Sequence, residues 1–98
     1  SIDLIIQNAD GTVTIIDYKT DRVSGESLIQ RAKGYEPQLA GYALIVEKLG
    51  LPGMANMKVK DAVLVFADGG PGGTAYEHRI DDLDAAKATA IDKIRESV

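Results

Sequence analysis

Asp17-Tyr18-Lys19 sets a carboxylate and an ammonium two residues apart at the end of an apolar run, Val13 to Ile16. A second carboxylate, Asp3, lies near the start of the preceding apolar run. Residues two apart on a strand point to the same face, so Asp17 and Lys19 share one. Whether Asp3 joins them depends on the loop between the runs. A three-residue loop, Ala9-Asp10-Gly11, would have Gly11 in the left-handed conformation that such loops require. Asn8 would then face Thr12, and Asp3 would fall opposite Asp17. Cross-strand partners of this kind have Cβ atoms about 4.5–5.5 Å apart. A loop of two or four residues would send the two aspartates to opposite faces.

Two adjacent carboxylates repel unless something neutralises them, and a divalent cation does so. Mg²⁺, with Mn²⁺ as a substitute, commonly takes one or two protein carboxylates and completes its shell with water and phosphate oxygens. Such a site would polarise a phosphate and activate a bound water. Lys19 would hold the attacking water or stabilise the charge that develops on phosphorus. The plainer alternative is that Asp17 and Lys19 are strand-end charges that simply meet solvent.

The elements that would position these groups can be read along the chain. Residues 2–7 and 12–19 are apolar and β-branched, as a hairpin requires. Residues 20–27 read as a loop. Ser27 and Gln30 form a candidate capping box for a short helix that ends at Gly34. A second helix is expected from Pro37 to Leu49, with Gly50 as its stop and Leu39, Tyr42, Ala43 and Val46 on one stripe. Residues 62–67 form an apolar run suited to a central strand covered on both faces. The Gly-rich segment at 69–73 is a turn, a strand follows at 74–80, and Asp81 or Asp82 caps a final helix that buries Leu83, Ala86, Ala90, Ile91 and Ile94. The fold class is α/β. Its order is β-β-α-α-β-β-α, and a crossover makes the second and third strands parallel in a mixed sheet flanked by helices.

Three stretches, Ile2-Asp3-Leu4-Ile5, Ile15-Ile16-Asp17-Tyr18-Lys19-Thr20-Asp21-Arg22 and Tyr35-Glu36-Pro37-Gln38-Leu39-Ala40-Gly41-Tyr42, together resemble successive motifs of the PD-(D/E)XK nucleases. The variant is similar to the C-terminal nuclease domain of the RecB and AddA helicase–nucleases. The resemblance implies a restriction-endonuclease-like core in which Asp3, Asp17 and the backbone carbonyl of Tyr18 bind Mg²⁺ and Lys19 is the catalytic lysine. Gln38 and Tyr42 would lie beside the active site, although Tyr42 also suits a packing role on the buried stripe. It further implies a Mg²⁺-dependent exonuclease that cuts DNA ends or single strands during recombination and double-strand-break repair, coupled to a helicase domain and a possible partner subunit. The family carries an upstream helix with a further acidic or histidine ligand, so residues 1–98 are expected to be a partial nuclease domain.

Composition narrows the alternatives. The 98 residues are 45% hydrophobic, enough for one modest core, and contain no cysteine, which removes thiol chemistry and cysteine-ligated metals and fits a cytoplasmic location. The net charge of −4 is unlike that of a free-standing nucleic-acid binder, so a metal or a neighbouring domain must supply positive potential. Arg22, Arg31 and Lys33 are candidate DNA contacts, against the commoner role of scattered surface cations. His78 has no ligand-spaced partner and reads as structural. The Gly-rich turn lacks the lysine and helix of a phosphate-binding loop, and no apolar run is long enough to span a membrane. Two rivals remain: a catalytically inactive nuclease-fold module with a DNA-binding or structural role, and an unrelated protein-interaction domain.

Overall fold

β-Branched residues and a single left-handed glycine set the opening hairpin. Strand β1 (Leu4–Gln7) pairs antiparallel with β2 (Val13–Lys19), Leu4 facing Ile16 and Gln7 facing Val13. The loop has the three expected residues. Gly11 has φ 86° and donates its N–H to the Asn8 carbonyl at 3.0 Å, while Asn8 donates to the Thr12 carbonyl at 2.8 Å. Asp10 closes the turn by accepting the Thr12 N–H at 3.0 Å. The computed structural model describes residues 2–20, 25–50, 57–67 and 71–97.

The expected pair of helices is instead one, α1 (Gly25–Leu49), with Pro37 inside it. The order is therefore β-β-α-β-β-α rather than β-β-α-α-β-β-α. Gly34 is not left-handed, and Ser27 lies within the helix rather than capping it. Proline in a helix interior removes one hydrogen bond and costs about 3 kcal/mol. What outweighs this is a stripe that runs straight through the punctuation: Leu28, Ala32, Leu39, Ala43 and Val46 are all buried, with half-buried Tyr35 bridging the gap. Gly50, with φ 71°, does end the helix, donating its N–H to the Val46 carbonyl.

Strand β3 (Val59–Phe66) returns parallel to β2, and β4 (Tyr76–Arg79) adds antiparallel to β3, giving one mixed sheet in the order β1-β2-β3-β4. β3 begins three residues before the expected run. The β3–β4 connection includes a short 3₁₀ turn at Pro71–Gly73, and the rest of the expected turn, residues 69–70, lies outside the described residues. Asp82 caps α2 (Leu83–Glu96) by accepting the Ala85 N–H at 3.0 Å.

One sheet face, with Val13, Ile15, Val59, Ala62, Leu64 and Phe66, packs against α1 and the start of α2 as a single core. On the other face Val63 is buried, but Val65 is only half-buried and Leu4, Ile6 and Tyr18 are exposed. The expected burial of the third strand on both faces is thus met only in part. Ile91 and Ile94 were expected on the buried side of the last helix. Both are exposed, because the second half of α2 meets α1 across an open apolar groove lined by Leu44, Ile45, Leu49, Ile91 and Ile94. No helix among the described residues is long and apolar enough to cross a membrane.

Candidate active site

The hairpin register carries Asp3 to the level of Asp17. The two partners next to them, Leu4 and Ile16, face each other, and at the open end of the ladder Asp3 donates its own N–H to the Ile16 carbonyl at 3.1 Å. There the Asp3 side chain takes over from the backbone: its Oδ2 accepts the Tyr18 N–H at 2.8 Å. The strand end is thereby closed by a carboxylate instead of a carbonyl. That bond is the chief cause that holds the Asp3 carboxyl below its ordinary value. Asp3 is therefore ionised at neutral pH.

Asp17 lies on the core face and is only 3% exposed. Lys19, two residues on, shares that face and sets its Nζ 3.1 Å from Asp17 Oδ2. In the parallel ladder Asp17 is opposite Leu64 and Lys19 is opposite Phe66. An apolar wall therefore backs the charged groups, and in such surroundings electrostatic attraction is stronger than in water. The Lys19 ammonium also sits over the Tyr35 ring, 4.1 Å from its centroid. Tyr35 in turn leans on Phe66, with ring centroids 6.4 Å apart.

Asp3, Asp17 and Lys19 thus come together as the three-residue loop requires. Tyr18, between the two chemical residues, gives its N–H to Asp3 while its side chain faces solvent, 52% exposed. Gln38 is exposed on α1, and Tyr42 is half-buried against the core. Arg31 and Lys33 are exposed on the same helix, and Arg22 lies outside the described residues.

Sequence reasoning missed two features beside the site. Tyr35 is a mid-helix residue whose ring lies over Lys19. His78, read as structural and without a ligand-spaced partner, pairs through Nε2 with Glu36 at 2.5 Å, tying β4 to α1. Glu36 stands 42 residues away, too far for any spacing rule to have signalled it.

The donor set suits a hard cation. Two carboxylates and one ammonium leave an excess of negative charge, and every side-chain donor is oxygen. Among the described residues no group of three or more His, Cys, Asp or Glu gathers. Two carboxylates are what Mg²⁺ commonly takes from protein, keeping its remaining positions for water and phosphate.

A sequence profile of the PD-(D/E)XK nuclease superfamily matches residues 1–98. Among curated proteins, the chain is 43% identical over 65 residues to an ATP-dependent helicase/nuclease component of Carboxydothermus hydrogenoformans, a match that covers 66% of this chain and 5% of that protein. It is 39% identical over 75 residues to the protein of the same name from Bacillus pumilus, covering 69% of this chain and 6% of that one. The chain therefore spans only a small fraction of the relatives that it matches. No solved structure gives a significant match.

Proposed function

The chain belongs to the PD-(D/E)XK nuclease superfamily, and we propose that residues 1–98 are part of a nuclease domain that hydrolyses DNA phosphodiester bonds with Asp3, Asp17 and Lys19. The observation that carries this reading is the convergence of the buried Asp17, the Asp3 carboxyl held by the Tyr18 N–H and the Lys19 ammonium at one end of the hairpin. Asp3, Asp17 and the Tyr18 carbonyl would hold Mg²⁺, with Mn²⁺ as a substitute. When bound, the cation supplies a Lewis acid for the phosphate and a water of lowered pKa.

The protein's own groups do the rest. Asp3 stays deprotonated because the Tyr18 N–H favours its charged form, so this ligand needs no proton removed before it binds a cation. The ammonium of Lys19 stabilises the negative charge that grows on the phosphoryl oxygens, and because the strand and α1 already fix it, little reorganisation is needed during reaction. Gln38 and Tyr42, one turn apart on α1, would contact the DNA backbone, with Arg22, Arg31 and Lys33 extending the grip on phosphates.

The relatives named as ATP-dependent helicase/nucleases support a wider setting for this reading. The domain would act in the cytoplasm as an exonuclease on DNA ends or single strands delivered by a helicase, with a partner subunit, in recombination and double-strand-break repair.

The test uses the full natural polypeptide and end-labelled duplex and single-stranded DNA, with Mg²⁺, Mn²⁺ or chelator. Asp17→Asn should lower cleavage by about 10³-fold, the equivalent of several kcal/mol of transition-state stabilisation. Full cleavage by Asp17→Asn would remove the proposed chemistry. Absence of Mn²⁺ affinity by calorimetry would favour the alternative of an inactive nuclease-fold module.

A further inference from the structure

We infer that Tyr35 is a positioning residue for Lys19, its ring serving as an uncharged seat that fixes the ammonium in the cutting geometry. The inference rests on the nuclease reading and adds to it a residue that takes no part in holding the cation.

Lysine is a poor choice for a fixed charge unless something holds it. Its four-carbon stem carries substantial rotamer freedom, and the ammonium is a compact point charge without the planar fork of arginine. Among the described residues two contacts restrain Lys19, and they come from different elements. Asp17 Oδ2, 3.1 Å away, is on its own strand. The Tyr35 ring, 4.1 Å from Nζ to centroid, is on α1. The face of an aromatic ring carries the negative lobe of its quadrupole and attracts a cation, more strongly where water is partly excluded. The Lys19 side chain is 16% exposed, so the attraction is little screened.

The two restraints respond differently to a bound cation. Once the Asp17 carboxylate shares its charge with a divalent ion, its pull on Lys19 weakens, and the cation itself repels the ammonium. A holder that depended on Asp17 alone would fail when the site is loaded. The attraction of the Tyr35 ring does not depend on the charge of Asp17. Tyr35 is itself held in place: it leans on Phe66 at 6.4 Å, and Phe66 leans on Tyr76 at 6.3 Å. Phe66 is also the ladder partner of Lys19, so ring and ammonium are referred to one fixed residue.

The experiment compares Tyr35→Phe, Tyr35→Leu, Lys19→Ala and the double variant Tyr35→Leu/Lys19→Ala in the full natural polypeptide. Tyr35→Phe keeps the ring and should cleave within about twofold of the parent, while Tyr35→Leu should lose about 10-fold in kcat with KM unchanged. The double variant should cleave no more slowly than Lys19→Ala alone, because the ring acts only through the lysine. In metal-free protein, labelling of Lys19 by an amine-reactive reagent, followed by mass spectrometry, should rise in Tyr35→Leu and stay unchanged in Tyr35→Phe. Losses that multiply in the double variant, or a Tyr35→Phe as impaired as Tyr35→Leu, overturn the inference while leaving the nuclease reading intact. Full cleavage by Lys19→Ala overturns both.

Discussion

Two lysine–carboxylate pairs stand at opposite ends of the β2–β3 ladder, and they are built to different ends. At the Val13–Val59 end, Lys87 is 7% exposed. Its Nζ donates to Glu47 Oε2 at 2.9 Å and to the Val59 carbonyl at 3.0 Å. Glu47 Oε2 also accepts the Val59 N–H at 2.7 Å. Asp84 lies 3.6 Å from Lys87 and is shared with Lys58 at 3.2 Å, so two carboxylates meet two ammoniums. At the Lys19–Phe66 end, two carboxylates, Asp3 and Asp17, meet one ammonium. The first cluster is balanced and spends its hydrogen bonds on a strand's backbone. The second is left one positive charge short. Charge balance, more than distance or burial, separates the pair that holds the fold from the pair proposed to take a cation.

Removing the lysine from each cluster should expose that difference. Breaking a buried pair leaves an uncompensated charge, so Lys87→Met and Lys19→Met should each destabilise the domain by about 3 kcal/mol in chelator, measured by urea denaturation. Saturating Mg²⁺, at about 100 times its dissociation constant, should return roughly 2.7 kcal/mol wherever it binds only the folded state. At a fixed, subsaturating Mg²⁺ concentration, Lys19→Met should regain more stability than Lys87→Met, since only the first substitution makes its own cluster a better cation site. An equal Mg²⁺-induced shift in an Asp17→Asn protein would break the comparison, because the stabilisation would then come from elsewhere.

Smaller effects probe how the acidic pair is placed. Gly11 holds φ 86° with open space around its Cβ position, so Gly11→Ala should cost about 1 kcal/mol through backbone strain alone while preserving the hairpin register and cleavage. Loss of cleavage with stability intact would show that the register depends on more than this loop. The smallest expected effect is acid-dependent. The Asp3 carboxyl is held low in the folded chain, chiefly by the Tyr18 N–H. Its stabilising contribution is therefore complete above the ordinary carboxylate range, about pH 4, and fades as pH falls through the lowered folded value. In chelator, Asp3→Asn should flatten that part of the stability–pH curve. A curve identical to the parent's would remove the Asp3–Tyr18 bond as its source.

The parts of this arrangement that were legible in the sequence are the local ones. Gly11 and the lengths of the flanking runs determine the hairpin loop, and the loop alone brings Asp3 opposite Asp17. Gly50 and Asp82 marked helix boundaries because their backbone and capping roles involve only near neighbours. Gly34 and Pro37 misled for the same reason: they are local signals, and the stripe from Leu28 to Val46 that overrides them draws its strength from packing on the sheet. Ile91 and Ile94 had the right periodicity but no partner close enough to bury them, and periodicity cannot report where a neighbouring helix lies. The pairs Glu36–His78 and Glu47–Lys87 join residues 42 and 40 apart, and the seat of Lys19 on Tyr35 depends on how α1 crosses the sheet. Nothing in the residue types announces these contacts.

The parallel pairing of β2 with β3 also sets a timetable. A hairpin with a short loop closes on the microsecond scale, whereas parallel strands must wait until the whole crossover, α1 included, has been brought back. Asp3 and Asp17 can therefore meet early in the life of the chain, but Phe66 and Tyr35 reach Lys19 only when the sheet is complete. The lysine seat is the last part of the proposed site to form, so a half-folded chain holds its acids without a fixed ammonium beside them.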